Sequence, residues 1–215
     1  MTVQPIANVT VIQHPLVEHA MSYLRSRDTE TEPFQRHAQV ATRILAMEVL
    51  RDLPTHPFMI HTPLEAMETR RLAQAVVFVP VLRSGLALLD AMNNFLPGSK
   101  VGFVGMERDE DTAIARHYYA KLPKHLDDAL VVILDPMLAT GGSALGTLCL
   151  LRQAGARRIR LACIVAAPEG VALLVREDPT IQVFTCALDR GLNERKYILP
   201  GLGDFGDRYF GTAGE

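Results

Sequence analysis

Between residues 15 and 52 apolar side chains recur at helical spacing: Leu16, Ala20 and Leu24, then, after Pro33, Val40, Ile44 and Met47. Each set falls on one face of a helix, so two helices are expected, joined by the polar turn RSRDTETEP. From residue 76 the pattern changes to short apolar runs rich in β-branched residues: VVFVPV, KVGFVGM, ALVVILD, IRLACIVAA and IQVFTCAL. Apolar on both faces, these runs read as buried strands. Helical patterns lie between several of them, at 86 to 95, 144 to 154 and 171 to 176. Strands alternating with helices imply a parallel sheet covered on both sides, an α/β, Rossmann-like core. The stretch from 188 to 215 is rich in Gly, Asp and Arg and reads as loop, too polar for a core yet studded with aromatic residues, so it is expected to lie over the rest. No repeat, low-complexity tract or linker interrupts the pattern. One domain over 1–215 is expected, with N-terminal helices at 15–52, an α/β core at 76–186 and a C-terminal cover at 188–212.

Composition agrees with a folded chain and narrows its partners. At 215 residues, 48% hydrophobic and 21% charged, disorder and fibrous repeats are excluded. A chain of this length buries roughly 70% of its unfolded surface and needs no covalent staples. Twenty-two Lys and Arg against 24 Asp and Glu leave a formal charge of -2, so no overall field draws it to nucleic acid or an anionic membrane, and neither is expected as a partner. Cys149, Cys163 and Cys186 are odd in number and sit in apolar runs, which reads as buried, reduced thiols in the cytoplasm. The histidines form no metal-ligand spacing, and no structural zinc is expected. There is no basic segment leading into a long apolar stretch, nor a run of about 18 apolar residues, so no membrane anchor is expected.

The strongest local signal is VVILDPMLATGGSALGTLCLLRQAG, residues 131 to 155: a buried strand, an acid at its end, a turn, and a helix that Gly155 could end. Ligands of open parallel sheets collect at the carboxyl ends of strands. Thr140, Gly141, Gly142 and Ser143 then sit where a helix begins, its unpaired amides and dipole favouring a phosphate. Asp135 has no phosphate affinity but can accept hydrogen bonds from sugar hydroxyls, so a phosphorylated sugar suits the loop better than bare phosphate. No Lys follows the glycines, which argues against a P-loop. The same four residues also make an ordinary strand-to-helix turn. Gly201, Gly203 and Gly206 spell G-x-G-x-x-G, but Pro200 precedes them, no helix is expected within DRYFGTAGE, and no acid follows about 20 residues on, so a dinucleotide site is not expected.

DPMLATGGS after an apolar strand is similar to the ribose-phosphate loop of type I phosphoribosyltransferases, and with Pro136 where many relatives have a second acid it resembles the uracil phosphoribosyltransferase family. HPLVEHAMSYLR, RDLP, VPVLRSGL, VGMERDEDT, YYAKLP, AAPEG and GLNERKYILPGLGDFGDRYFGT resemble that family in the same order, over nearly the whole chain. The resemblance implies transfer of phosphoribosyl from 5-phosphoribosyl-1-pyrophosphate (PRPP) to uracil, giving UMP and pyrophosphate, with magnesium carried on PRPP. It implies that Asp135, Pro136, Met137, Leu138, Ala139, Thr140, Gly141, Gly142 and Ser143 hold the ribose and its 5-phosphate. Arg83 would bind pyrophosphate and Arg108 would add a second cation to it. The C-terminal cover would be the uracil hood, with backbone groups of Ile198, Gly203 and Phe205 on the polar edge of the base. Asp204 would face PRPP or its magnesium, and Arg108, Asp135 and Asp204 would carry catalysis. The segment from Glu107 to Leu122 would close as a flap, with Tyr118 and Tyr119 packing there. A homodimer or homotetramer is implied, as is, in some members, a GTP effector with no residues assigned to it here. Ser84 stands where that family usually has Ala, Lys196 where it has Gly and Phe205 where it has Ala. Two other readings remain open: a PRPP-sensing regulator without catalysis, and a phosphoribosyltransferase for another base.

Overall fold

The computed structural model describes residues 8–108 and 115–212. Helices α1 (Pro15–Arg25) and α2 (Thr31–Val49) form the N-terminal layer. Pro15 takes the first helical position of α1 and His14 Nδ1 accepts from the Leu16 amide at 3.1 Å, a cap that satisfies one orphan donor. Pro33 does not separate the helices as expected; it sits in the first turn of α2, where its missing N–H costs no hydrogen bond. The buried faces follow the expected stripes only in part: Ala20 and Leu24 are buried as expected. In α1 the buried residues are Val17, Ala20, Met21 and Leu24, and in α2 Phe34, Ala38, Ala41, Leu45 and Val49, while Leu16 and Met47 are each 53% exposed. Ala38, Ala41 and Ala46 allow a close approach; of the expected α2 stripe, Val40 and Ile44 are half-buried at the flank of the same core and Met47 is exposed.

Strands β1 (Val9–Val11), β4 (Val76–Leu82), β5 (Lys100–Val101), β6 (Phe103–Arg108), β7 (Ala115–Lys121), β8 (Leu130–Leu134), β9 (Met137–Leu138), β10 (Arg158–Ala166) and β11 (Gln182–Leu188) form the main sheet. Its order is β1-β11-β10-β8-β4-β6-β7, with β5 beside β4 and β9 beside β10. The strands pair in parallel except at one edge, where β7 runs antiparallel to β6. The two arms of the expected flap are thus sheet strands, and its residues 109–114 lie outside the described residues. Helices α3 (Leu86–Phe95), α4 (Gly142–Gln153) and α5 (Pro168–Glu177) fall where the pattern puts helices. Side chains alternate along each strand. Leu130, Val132 and Leu134 of β8 therefore join a core with α1, α2 and α3, and Val131 and Ile133 join another with α4 and α5. This doubly covered sheet is the expected α/β architecture.

Other features were not legible. Strands β2 (Thr55–His61) and β3 (Ala66–Leu72) form an antiparallel hairpin that stands off the body with most of its side chains exposed. The stretch expected as loop contains β12 (Gly191–Leu192) paired to β13 (Ile198–Leu199), and helix α6 (Phe205–Phe210). A helix does therefore follow within the final segment, contrary to expectation. Cys149 is exposed on α4, again contrary to expectation, while Cys163 and Cys186 are buried and burial pushes both thiols up, that of Cys186 to about 12.

Candidate active site

The site is assembled at the carboxyl edge of the sheet. Strand β8 runs out at Leu134, and Asp135 turns the chain there, its Oδ1 accepting from the Met137 amide at 3.3 Å. Burial pushes the Asp135 carboxyl up to about 6, because a charge there has lost water and gained one amide donor in return. Pro136 directs its carbonyl back into the sheet, taking the amides of Ile164 at 3.0 Å and Val165 at 3.1 Å. Gly141 caps α4 with φ +84, a backbone state open to glycine, and a Cβ there would lie 3.0 Å from the Gly170 carbonyl. The first-turn amides of Gly142, Ser143 and Ala144 have no acceptor within the helix. With Asp135, Met137, Leu138, Ala139, Thr140 and Gly141 they line a cavity of about 110 Å³. Its polar rim of amides and hydroxyls at a helix N-terminus is chemistry for a phosphate. Pro136 is not among the lining residues, and the Leu138 side chain is buried in the core, so of the expected loop these two serve chiefly the sheet.

Arg83 follows β4, the neighbour of β8, through a cis Leu82–Arg83 peptide. Its loop is drawn against the phosphate loop by Gly85: a Cβ there would lie 2.3 Å from the Leu134 carbonyl, so only glycine fits the approach. The Arg83 side chain is 69% exposed and 3.9 Å from the Asp207 carboxylate of α6. The hood reaches both loops. The Phe205 amide donates to Met137 Sδ at 3.4 Å, and a Cβ on Gly206 would stand 3.6 Å from Ser84. Asp204 is exposed at this junction, with Oδ1 capping α6 through the Asp207 amide at 2.9 Å. Gly203 beside it is exposed, with φ +80. Ile198 is buried in β13, with Gly201 folded over its carbonyl, so it lies deeper than the other hood residues.

Phe205 departs most from the family pattern, and its ring leaves the site altogether. It is fully buried, edge-on to Phe34 of α2 and stacked with Tyr209 at a centroid distance of 5.7 Å. Lys196 has φ +67, the left-handed state that explains why a glycine suits that position. Tyr118 lays its ring over Gly105, so it packs β7 on β6. Arg108 ends β6, and its side chain lies outside the described residues. Sequence reasoning missed Arg25, Asp189 and Arg208, which tie the hood to α1. Their bonds between the hood and α1 span 164 and more residues of sequence, and no local spacing signals them. Among the described residues no three His, Cys, Asp or Glu gather as a metal site, and no helix is long and apolar enough to cross a membrane.

A doubly covered parallel sheet with an acid and a T-G-G-S loop at its carboxyl edge defines the type I phosphoribosyltransferase class. An adenine phosphoribosyltransferase from Trypanosoma brucei shares the fold at TM-score 0.60 and 14% identity, over 95% of this chain and 92% of that one. The AQ2163 protein of Aquifex aeolicus superposes at TM-score 0.89 with 34% identity, covering 94% of this chain and 97% of the other. Uracil phosphoribosyltransferases of Streptococcus pneumoniae and Symbiobacterium thermophilum are 44% and 43% identical over 208 residues, 96% of this chain and 100% of theirs. The model of the uracil phosphoribosyltransferase family matches residues 11–212. The chain belongs to the uracil phosphoribosyltransferase family.

Proposed function

We propose that the chain transfers the phosphoribosyl group of PRPP to uracil, releasing pyrophosphate and UMP, and that the three loops at the carboxyl edge divide this work. The observation that carries the reading is the Phe205 amide donating to Met137 Sδ, which seats the hood against the ribose-phosphate loop. The amides and hydroxyls from Ala139 to Ser143 hold the 5-phosphate, and Asp135 accepts from the ribose hydroxyls. As the anomeric C–O bond breaks, positive charge grows on the ribose and pyrophosphate takes the electron pair. Arg83 and Arg108 neutralise that leaving group, since a guanidinium fork matches paired phosphate oxygens. Backbone groups of Ile198, Gly203 and Phe205 hold uracil, whose N1 forms the new bond to the anomeric carbon and passes its proton to the departing pyrophosphate. No protein nucleophile is needed, and positioning supplies the rate. Magnesium would enter as part of the substrate, carried on PRPP, and the exposed Asp204 would offer it a hard carboxylate oxygen. With the Phe205 ring in the core, the hood keeps its backbone edge for a pyrimidine.

A second copy of the chain completes this reading. An isolated two-stranded hairpin has little stability in water, yet β2 and β3 stand away from the body with Met59, Leu64 and Met67 exposed. On α2, Met47 is exposed as well, with Val40 and Ile44 half-buried. A homodimer or homotetramer covers both. A cytoplasmic location fits such a small-molecule enzyme, and a GTP effector rests on the resemblance alone, with no residue assigned to it.

The test is pyrophosphate release from PRPP with Mg²⁺ in the presence of uracil, cytosine, hypoxanthine, adenine or no base. Release with uracil, together with UMP, is expected. Release with another base instead moves the specificity, and PRPP binding without release under any base makes the chain a sensor.

A further inference from the structure

We infer that Arg25 and Asp189 are positioning residues for base recognition: from outside the site, their fork fixes the hood backbone and so sets the apparent affinity for uracil. This rests on the assignment of residues 198–205 as the base-binding hood.

The two side chains meet in parallel, Arg25 Nη2 to Asp189 Oδ1 at 2.6 Å and Nη1 to Oδ2 at 2.9 Å, with Asp189 only 7% exposed. Both then turn to the same hood residue. Asp189 Oδ2 accepts from the Gly201 amide at 2.8 Å, and Arg25 Nη1 donates to the Gly201 carbonyl at 2.8 Å. The two peptide groups flanking Gly201 are thereby held in one orientation. Asp189 is itself rooted in the sheet, its amide donating to the Ala166 carbonyl at 2.8 Å. Arg208 fixes the next residue: Nη1 reaches the carbonyls of Leu202 at 2.7 Å and Leu24 at 2.5 Å, and Nη2 that of Ser26 at 2.5 Å. The hood is therefore fastened, just before Gly203, Asp204 and Phe205, to the carboxyl end of α1 and to the edge of β10.

Stability alone is a poor explanation for this arrangement. Taking an Arg–Asp pair out of water costs about as much as the pair returns. What the fork supplies is direction, since two parallel charge-assisted bonds fix the guanidinium plane. A hood that reads a base with its own backbone needs that, because a misplacement of about 1 Å costs on the order of a hundredfold in rate. Neither Arg25 nor Asp189 lines the phosphate cavity, and both grip the hood at Gly201, so their effect falls first on the base and less on PRPP.

Arg25→Lys keeps the charge but cannot hold Asp189 and the Gly201 carbonyl in one plane, and Asp189→Asn removes the carboxylate that Arg25 grips. Both are expected to raise KM for uracil about tenfold while KM for PRPP stays within about twofold. Arg25→Lys, which keeps the charge, should melt within a few degrees of the parent, whereas Asp189→Asn, which leaves Arg25 without its anion, should melt lower. Equal rises in both KM values, or unchanged KM for uracil in a folded variant, would overturn the inference. Gly203→Val, placed in the hood itself, separates the two levels. If it raises KM for uracil while Arg25→Lys does not, the fork is structural; if neither does, the hood assignment has failed and the inference with it.

Discussion

The rings of Phe205 and Phe34 meet edge-on, centroids 5.2 Å apart and planes at 63°, so the residue that departs most from the family pattern in the hood is a bolt between α6 and α2. Phe205→Ala should then act on stability. Loss of a fully buried ring costs about 3–5 kcal/mol, to be read by chemical denaturation, while KM for uracil should change only a few-fold. A shift of base preference at unchanged stability would place the ring in the pocket instead.

Asp135 takes stability from the unliganded protein as pH rises from mild acid to neutral. Its carboxyl titrates at about 6 when folded, against 3.8 when exposed, so between those values the folded state holds more protons and stability falls as pH rises. Above pH 6 the buried charge costs on the order of 3 kcal/mol. Asp135→Asn should therefore melt higher than the parent at pH 8, match it near pH 4, and lose most of its turnover. Paired thermal melts at the two pH values and one activity assay check this. In the parent, kcat/KM for PRPP should drop below about pH 6 as the acceptor for the ribose hydroxyls is protonated.

Arg83 contributes little to the fold, being largely exposed and 3.9 Å from Asp207. Arg83→Ala should leave the melting temperature unchanged and lower kcat by ~10²-fold to 10³-fold if it stabilises departing pyrophosphate. Arg108→Ala should do the same, and an unfolded Arg108→Ala protein would make that residue structural.

Lys196 carries a strained backbone with φ +67. The left-handed state costs a side-chain-bearing residue about 1–2 kcal/mol, partly offset by the greater freedom glycine has when unfolded. Lys196→Gly is expected to stabilise the protein by about 0.5–1 kcal/mol, and a lower denaturation midpoint would contradict this.

The exposed apolar surfaces of the hairpin and of α2 predict that Leu64→Asp combined with Met47→Lys yields a smaller species in sedimentation velocity than the parent. An unchanged mass would mean that the subunits meet elsewhere, and a monomeric parent would remove the oligomer.

Where burial follows the chain's own period, the pattern was readable. The runs from VVFVPV to IQVFTCAL became sheet strands because a strand covered on both faces is apolar at every position. The loop from Asp135 to Ser143 was readable because a strand, an acid and helix-opening glycines are local. In α2 the fully buried face is centred on Phe34, Ala38, Ala41 and Leu45, the expected Val40 and Ile44 lie half-buried at its flank, and Met47 is left outside, because alanines at the centre let the helix approach closely. The hairpin was missed because it buries almost nothing, and α6 because six residues give too little period and its cap, Asp204, reads equally as a ligand.

By itself the sequence determined the α/β class, the strand, acid and glycine turn that open α4, and the order of the family's motifs, all of which depend on neighbours along the chain. The tertiary structure decided which face of α2 is core, that the Phe205 ring turns into the core against Phe34, and that Arg25 and Asp189 grip Gly201. Those choices depend on distances between residues remote in sequence, set only once the two layers have closed on the sheet.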